Sequence, residues 1–335
     1  MIKEAMLYEK LSDNRVHCYL CAHHCKIKPS QYGICGVRQN NQGLLNTLVF
    51  AESVAAHVDP IEKKPLYHFL PGTSSYSIAT MGCNFKCGFC QNWQISQTTK
   101  RNSNYHGKEL LPEEVVRQAK LTGSKSISYT YTEPTIFFEY AYETARLAKA
   151  QNIYNIFVTN GYMTKEAIDT IKPFLDGANI DLKSFNPNYY LKNCKAKLEP
   201  VLEAIKYMKS LGIWIEVTTL VIPGENDSKQ EFAQIASFIA GVDKGIPWHI
   251  SRFHPDYEFN QYQPTSKETL ELASDLGKKA GLRYVYLGNT TDGSDSFCYK
   301  CKKRLICRDY FSITENNIKD SHCNFCKAEV DGIFS

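Results

Sequence analysis

Tyr76-Ser77-Ile78-Ala79-Thr80-Met81-Gly82-Cys83-Asn84-Phe85-Lys86-Cys87-Gly88-Phe89-Cys90 is the stretch on which the fold turns. Its first five residues read as a strand, and three cysteines spaced Cys-x3-Cys-x2-Cys follow at once. From there to about residue 289, short β-branched or aromatic runs alternate with helical patterns, the signature of βαβ units and a parallel sheet. Strands are expected at 76–80, 126–131, 153–159, 178–182, 213–221, 248–253 and 283–286. Between the fourth and fifth, Leu198, Val201, Leu202, Ile205 and Met208 recur at helical spacing. Pro112 ahead of Glu113 and Glu114 reads as a helix start, and Ser228 with Glu231 and Thr265 with Glu268 fit capping boxes. Gly212 and Gly281 stand where helices should stop. Residues 76–290 are fewer than the roughly 250 of a closed eight-fold barrel. The expected fold is therefore α/β, a partial (β/α)6-type barrel whose open side admits a large substrate. Barrel active sites lie at the C-terminal ends of strands, which is where the cysteine loop falls.

Working outward, residues 1–75 carry a first cysteine cluster and a stretch from 44 to 71 with one candidate strand at 44–50, hard to place from sequence. Thr290-Thr291-Asp292-Gly293-Ser294 reads as a linker into a module at 291–335. The 335 residues carry 39 basic and 35 acidic side chains, with no run of like charge that would make a phosphate-binding arm, so nucleic acid is not implied. The first ten residues mix Lys3, Glu4, Glu9 and Lys10 with apolar ones, unlike a signal peptide, and no segment reads as a membrane span; a cytoplasmic location is expected.

Thirteen cysteines in a reducing compartment point to metal. A four-iron cluster normally takes four cysteines, so Cys83, Cys87 and Cys90 alone on one loop leave one iron open to another ligand. Zinc is disfavoured there, because a structural zinc site wants four ligands and the loop offers no fourth. Cys298-x2-Cys301 and Cys323-x2-Cys326 have the two-knuckle spacing of a zinc ribbon, with a rubredoxin-like iron as the lesser alternative. Cys307 stands outside those knuckles as a spare thiol. Cys18, Cys21, Cys25 and Cys35 offer a third set of four, with His17, His23 and His24 interleaved but taken as unliganded. Spacing leaves zinc and a second iron–sulfur cluster both open there, with zinc favoured. Cys194 reads as an incidental thiol.

The Cys83–Cys90 spacing, with Phe89 before the last cysteine, resembles the signature of the radical S-adenosylmethionine (SAM) superfamily. That resemblance implies a 4Fe–4S cluster whose open iron chelates SAM, adenine against the backbone near Phe89, and reductive cleavage to methionine and a 5′-deoxyadenosyl radical that abstracts hydrogen from substrate. Tyr129-Thr130-Tyr131-Thr132-Glu133-Pro134 occupies the place of the superfamily's Gly-Gly-Glu-type motif, without its glycines, making Thr130, Thr132 and Glu133 candidates for the SAM amino group. The plain alternative for Glu133 is a surface ion pair. Thr159 and Asn160, with Asp181 and Lys183, resemble strand ends of pyruvate formate-lyase activating enzymes, which implies a cation near SAM at Asp181 and a ribose contact at Lys183. Val158 replaces a further acidic residue of that cation site, and capping or ion pairing is the plain alternative for Asp181 and Lys183. His249, Arg252 and His254 alternate along a strand end and are candidates to orient a polar or anionic substrate.

The whole pattern, including Asp59-Pro60-Ile61-Glu62-Lys63-Lys64-Pro65-Leu66 and Cys90-Gln91-Asn92-Trp93, is similar to the radical SAM component of the AmmeMemoRadiSam system. That likeness implies Memo-like and AMMECR-type partner proteins and a reductant such as flavodoxin or ferredoxin, and leaves the substrate open. An activase that installs a glycyl radical on a partner protein is the nearest rival reading, and an iron–sulfur electron carrier a weaker one.

Overall fold

Strands that are apolar on both faces need cover on both faces. The computed structural model, which describes residues 1–103, 106–290 and 292–334, supplies it around one eight-stranded sheet. In chain order the strands are β1 (Ala55–Pro60), β2 (Ser74–Ala79), β3 (Ser126–Tyr129), β4 (Tyr154–Thr159), β5 (Gly177–Asp181), β6 (Trp214–Val221), β7 (Trp248–Arg252) and β8 (Val285–Gly288). They lie side by side in that same order. β2 to β8 are all parallel, and β1 runs antiparallel along β2. The six crossovers hold α1 (Pro112–Leu121), α2 (Phe138–Lys149), α3 (Lys165–Ile171), α4 (Glu199–Ser210), α5 (Lys229–Val242) and α6 (Lys267–Lys279). β1 and β8 do not pair, so the barrel is partial, with six β/α units and one further strand.

The helix signals hold with one exception. Pro112 opens α1, and the Ser228 hydroxyl accepts from the Glu231 N–H at the start of α5. Thr265, expected to cap α6, is instead buried; its hydroxyl accepts from Phe253 N–H at 2.9 Å and donates to the Val221 carbonyl at 2.6 Å. That duty between the ends of β6 and β7 leaves the cap to Ser266, which accepts from Thr269 N–H.

Residues 55–71, grouped in the sequence with the N-terminal cysteine segment, do two things for the barrel. They supply edge strand β1, and beyond it they cross the N-terminal ends of the parallel strands as a plug. Phe69 is fully buried there with Ile61, Leu66 and Ile156, against Tyr154 and Trp214. The buried Glu216 carboxylate ties the plug to β6 and β7, accepting from Tyr67 N–H (3.0 Å), His68 N–H (2.8 Å), the Trp214 indole (3.1 Å) and His249 Nε2 (2.6 Å).

The open side does not stand free, contrary to expectation. A cysteine-bearing tail, with strands Ser296–Phe297, Arg304–Asp309 and Ser312–Asn316, packs on Tyr67, Tyr284 and Tyr286. Buried Arg308 donates to the Tyr67 carbonyl at 2.9 Å, to the Ser294 carbonyl and the Ser296 hydroxyl at 2.8 Å, and lies 4.3 Å over the Tyr67 ring, so one guanidinium joins the two segments across an apolar seam. Thr291 of the expected linker and Ser335 lie outside the described residues. Two small antiparallel sheets form the N-terminal module, pinned to α2 by the buried Arg38–Glu139 ion pair. Among the described residues, no helix is long and apolar enough to cross a membrane.

Candidate active site

The loops at the C-terminal ends of β2 to β8 surround a cavity of about 570 Å³. Into its wall the fold brings Cys83, Cys87, Cys90 and Phe89 from the loop after β2, Thr130, Thr132 and Glu133 from that after β3, and Thr159 and Asn160 from the end of β4. Asp181 and Lys183 join them from β5, and His249 from β7. Arg252 and His254 line an adjoining chamber of about 630 Å³, which shares Tyr67, Gln91, Asn289 and Phe311 with the first. Cys18, Cys21, Cys25 and Cys35 lie in the N-terminal module and Cys298, Cys301, Cys323 and Cys326 in the tail, none of them lining either chamber.

The cysteine loop has little regular structure of its own and is held from three sides. His23 of the N-terminal module sits 2.8 Å from the Asn84 carbonyl, and Asn160 donates to the Asn84 side chain at 2.7 Å. From the β5 side, the Cys194 and Asn193 carbonyls accept from Lys86 and Gly88 N–H. From beyond β7, Glu258 N–H donates to the Gly88 carbonyl, and Trp93 stacks on Tyr257 with centroids 5.0 Å apart. Burial pushes the Cys83 thiol well up, so binding a metal through it must release a proton.

Glu133 is buried, not a surface ion pair. Its carboxylate accepts from Thr135 N–H (3.0 Å), the Thr135 hydroxyl (2.5 Å), the Thr159 hydroxyl (2.7 Å) and Asn160 N–H (2.8 Å). Burial raises its pKa while these donors pull it back. This bracing fixes the β3 loop against the end of β4. Between Thr130 and Thr132, Tyr131 takes φ +62°, a left-handed conformation that favours glycine. Its hydroxyl donates to Asp59, and Lys64 Nζ lies 4.5 Å over its ring. Asp59 is also 2.6 Å from Lys64, whose pKa burial lowers to about 8 against the pull of Asp59. Nothing in the residue pattern alone marked Tyr131, Asp59 or Lys64; the family-like run 59–66 was the only signal for the last two.

Lys183 and Asp181 form an ion pair at 2.9 Å on the cavity wall. Burial opposes the Lys183 charge, but Asp181 and the Cys87 and Cys194 thiols outweigh it and hold its pKa well above the ordinary value. His249 is committed to Glu216 and stacked on Tyr286, so it serves the framework as well as the wall. Cys194, expected to be incidental, is fully buried behind Cys87; the hydrogen bond between the two, together with burial, pushes the Cys87 thiol well up. It does not line the cavity.

In the tail, the sulfurs of Cys298, Cys301, Cys323 and Cys326 all lie within 4.8 Å of one another, and Cys301 N–H points at the Cys298 sulfur. Four thiols gathered that tightly suit one tetrahedral ion.

The radical SAM superfamily model matches residues 77–239, from β2 into α5. An uncharacterized protein of Methanocaldococcus jannaschii is 42% identical over 98% of this chain and 99% of its own length. A pyruvate formate-lyase-activating enzyme of Listeria monocytogenes is 24% identical over 49% of this chain and 68% of its own. The solved radical SAM methyltransferase of Sphaerobacter thermophilus shares the fold at TM-score 0.51 and 17% identity, over 68% of this chain and 69% of that one. With three cysteines set on the loop after β2, an open parallel barrel around them and a sequence match spanning both, the chain belongs to the radical SAM superfamily, whose enzymes use a 4Fe–4S cluster to cleave SAM to a radical.

Proposed function

We propose that Cys83, Cys87 and Cys90 hold a 4Fe–4S cluster with one iron open to SAM, and that this enzyme abstracts hydrogen from a polar or anionic substrate bound in the adjoining chamber. The observation that carries the reading is that three thiols, and no fourth, line a cavity walled by every parallel strand end. The donor set fits: three cysteines on one cavity-lining loop can supply three corners of a four-iron cluster and leave the fourth open. When bound, the cluster supplies the electron that cleaves SAM to methionine and a 5′-deoxyadenosyl radical.

The chain's own residues do the rest. Lys183, held charged beside Asp181, offers a donor and a positive charge to the cofactor, and the run Thr130 to Thr132, on the loop that Glu133 fixes, offers carbonyl acceptors for an amino group. Thr159 and Asn160 spend hydrogen bonds on Glu133 and Asn84, so they position the cofactor's surroundings. In the adjoining chamber Lys267 is paired with Asp292 at 3.4 Å, which leaves Arg252 and His254 as the groups that would meet a polar or anionic part of the substrate. The tail quartet takes zinc, with iron as the alternative, and the electron donor is a flavodoxin- or ferredoxin-class protein; Memo-like and AMMECR-type proteins are the proposed partners, in the cytoplasm.

Anaerobic reconstitution with iron and sulfide, then reduction with SAM, should release 5′-deoxyadenosine and methionine; Cys83→Ala, Cys87→Ala or Cys90→Ala should each abolish it. Activity surviving all three changes would sink the assignment. The partial likeness to a pyruvate formate-lyase-activating enzyme supports a second reading, an activase acting on a partner protein. A backbone glycyl radical appearing on a candidate partner after incubation would favour it.

A further inference from the structure

The chamber beside the first cavity has walls of two origins. Tyr67 of the plug, Leu270 of α6 and Leu287 of β8 give it an apolar side, and Arg252 and His254 stand at the end of β7 and just beyond it. The other wall belongs to the tail. Strands Arg304–Asp309 and Ser312–Asn316 pair with Asp309 opposite Ser312, so Tyr310 and Phe311 are the two residues of the turn between them, and both line the chamber. Phe311 lines the first cavity as well, whereas Tyr310 does not.

A two-residue hairpin turn is an unusual place for two large rings. Such turns favour Asn-Gly or a leading glycine, because their central residues take positive φ. Tyr310 has φ +53°, a strain that glycine in its place would not carry. Burial does not offset it, since Tyr310 is 72% and Phe311 41% exposed. Among the described residues neither ring meets another ring or a cation, and the Tyr310 hydroxyl has no hydrogen-bond partner. The turn is nonetheless held on both sides. Arg308, two residues before Tyr310, is bonded to Tyr67, Ser294 and Ser296, and Ile313, two residues after Phe311, packs so closely on Gly72 that a Cβ there would come within 3.2 Å of it. A braced pair of unpartnered rings on a chamber wall is a stacking platform for a planar group. A positive edge shares the chamber. Arg252 Nε donates to the Thr265 carbonyl at 2.9 Å, and its Nη atoms have no protein partner among the described residues, which suits a phosphate or carboxylate.

We propose that this chamber binds a planar aromatic group carrying an anion, with Tyr310 and Phe311 stacking on the ring and Arg252 holding the charge, so that the tail is the wall of the site that selects its ligand. That the ligand is the substrate rests on the function proposed above; that the chamber prefers this class of ligand does not.

The test uses the full chain, reconstituted anaerobically with iron and sulfide, and titrates it calorimetrically with phenyl phosphate and with cyclohexyl phosphate. The phenyl ester should bind about fivefold tighter, the factor for one aromatic pair. Tyr310→Leu with Phe311→Leu, both at exposed turn positions, should bring the two esters to equal affinity, and Arg252→Gln should weaken both about tenfold while the preference stays. No saturable binding of phenyl phosphate, equal binding of the two esters by the wild type, a preference that survives the double leucine variant, or affinities that Arg252→Gln leaves unchanged would each overturn the proposal. Failure of the SAM reading would look different: the ester preference would stand while reduction with SAM released no 5′-deoxyadenosine.

Discussion

Tyr131 shows how one residue can keep a motif's shape without its glycine. A left-handed backbone costs a non-glycine residue roughly 1–2 kcal/mol, and here the side chain returns something for it by donating to Asp59 and lying under Lys64. Tyr131→Phe removes the hydroxyl and keeps the strain, so it should lower stability by about 1.5–3 kcal/mol in denaturant titration, the range for a hydrogen bond to a charged group. Cys194 is the other surprise at this scale. Were Cys87 held by iron as a thiolate, the neighbouring Cys194 thiol would become the donor and would make a bound cluster easier to reduce, so Cys194→Ala should shift its midpoint potential more negative, at about 1 kcal/mol of stability for the small cavity left. Iron content should not change; loss of iron with Cys194→Ala would make it a ligand and close the open position that the proposed function needs. Neither feature was legible in the sequence, because a backbone angle and a through-space contact leave no spacing pattern.

At the level of elements, the parallel strands were legible to within two residues because each is a short run with β-branched or aromatic residues bounded by turns. β1 was not: its pattern includes exposed positions and ends at Pro60, as an edge strand's can. The helix starts were readable where the capping side chain had no other task, and misread at Thr265, where it did. The cysteine loop is an element braced from outside, and Gly82 is its seam with the N-terminal module. A methyl group there would sit 2.8 Å from Val37 on a backbone at φ +95°, so Gly82→Ala should displace the loop from the N-terminal module. The expected outcome is a folded protein, destabilised by roughly 1–3 kcal/mol, whose iron incorporation at the Cys83 site falls; unchanged iron and stability would show that the seam does not matter.

Across the whole molecule, His68 joins plug, sheet and tail. It contacts the Asp331 carbonyl through Nδ1 and the Tyr286 hydroxyl through Nε2, both at 2.6 Å. Burial lowers its pKa to about 4, with Glu216 pulling upward and Arg308 and His249 pushing down. Between that value and its ordinary one near 6.5 the unfolded chain binds a proton that the native chain refuses, so stability should fall as pH drops from about 6.5 toward 4, by roughly 1 kcal/mol per pH unit. Thermal unfolding from pH 7.5 to 5.5 should show this slope, reduced in His68→Gln; half-buried His23, with its own lowered pKa, supplies part of what remains. A slope identical in the variant would place the effect elsewhere.

The plug also sets the order in which the molecule can be finished. Leu70 and His68 bond to the backbone of Ile333, which is made about 260 positions after them. At ordinary translation speeds Phe69 and its neighbours wait roughly ten to fifty seconds on the ribosome before their last partner emerges. During that interval a half-built sheet shows its greasy underside to the cell, so production of this protein should depend on chaperone capacity more than its native stability would suggest.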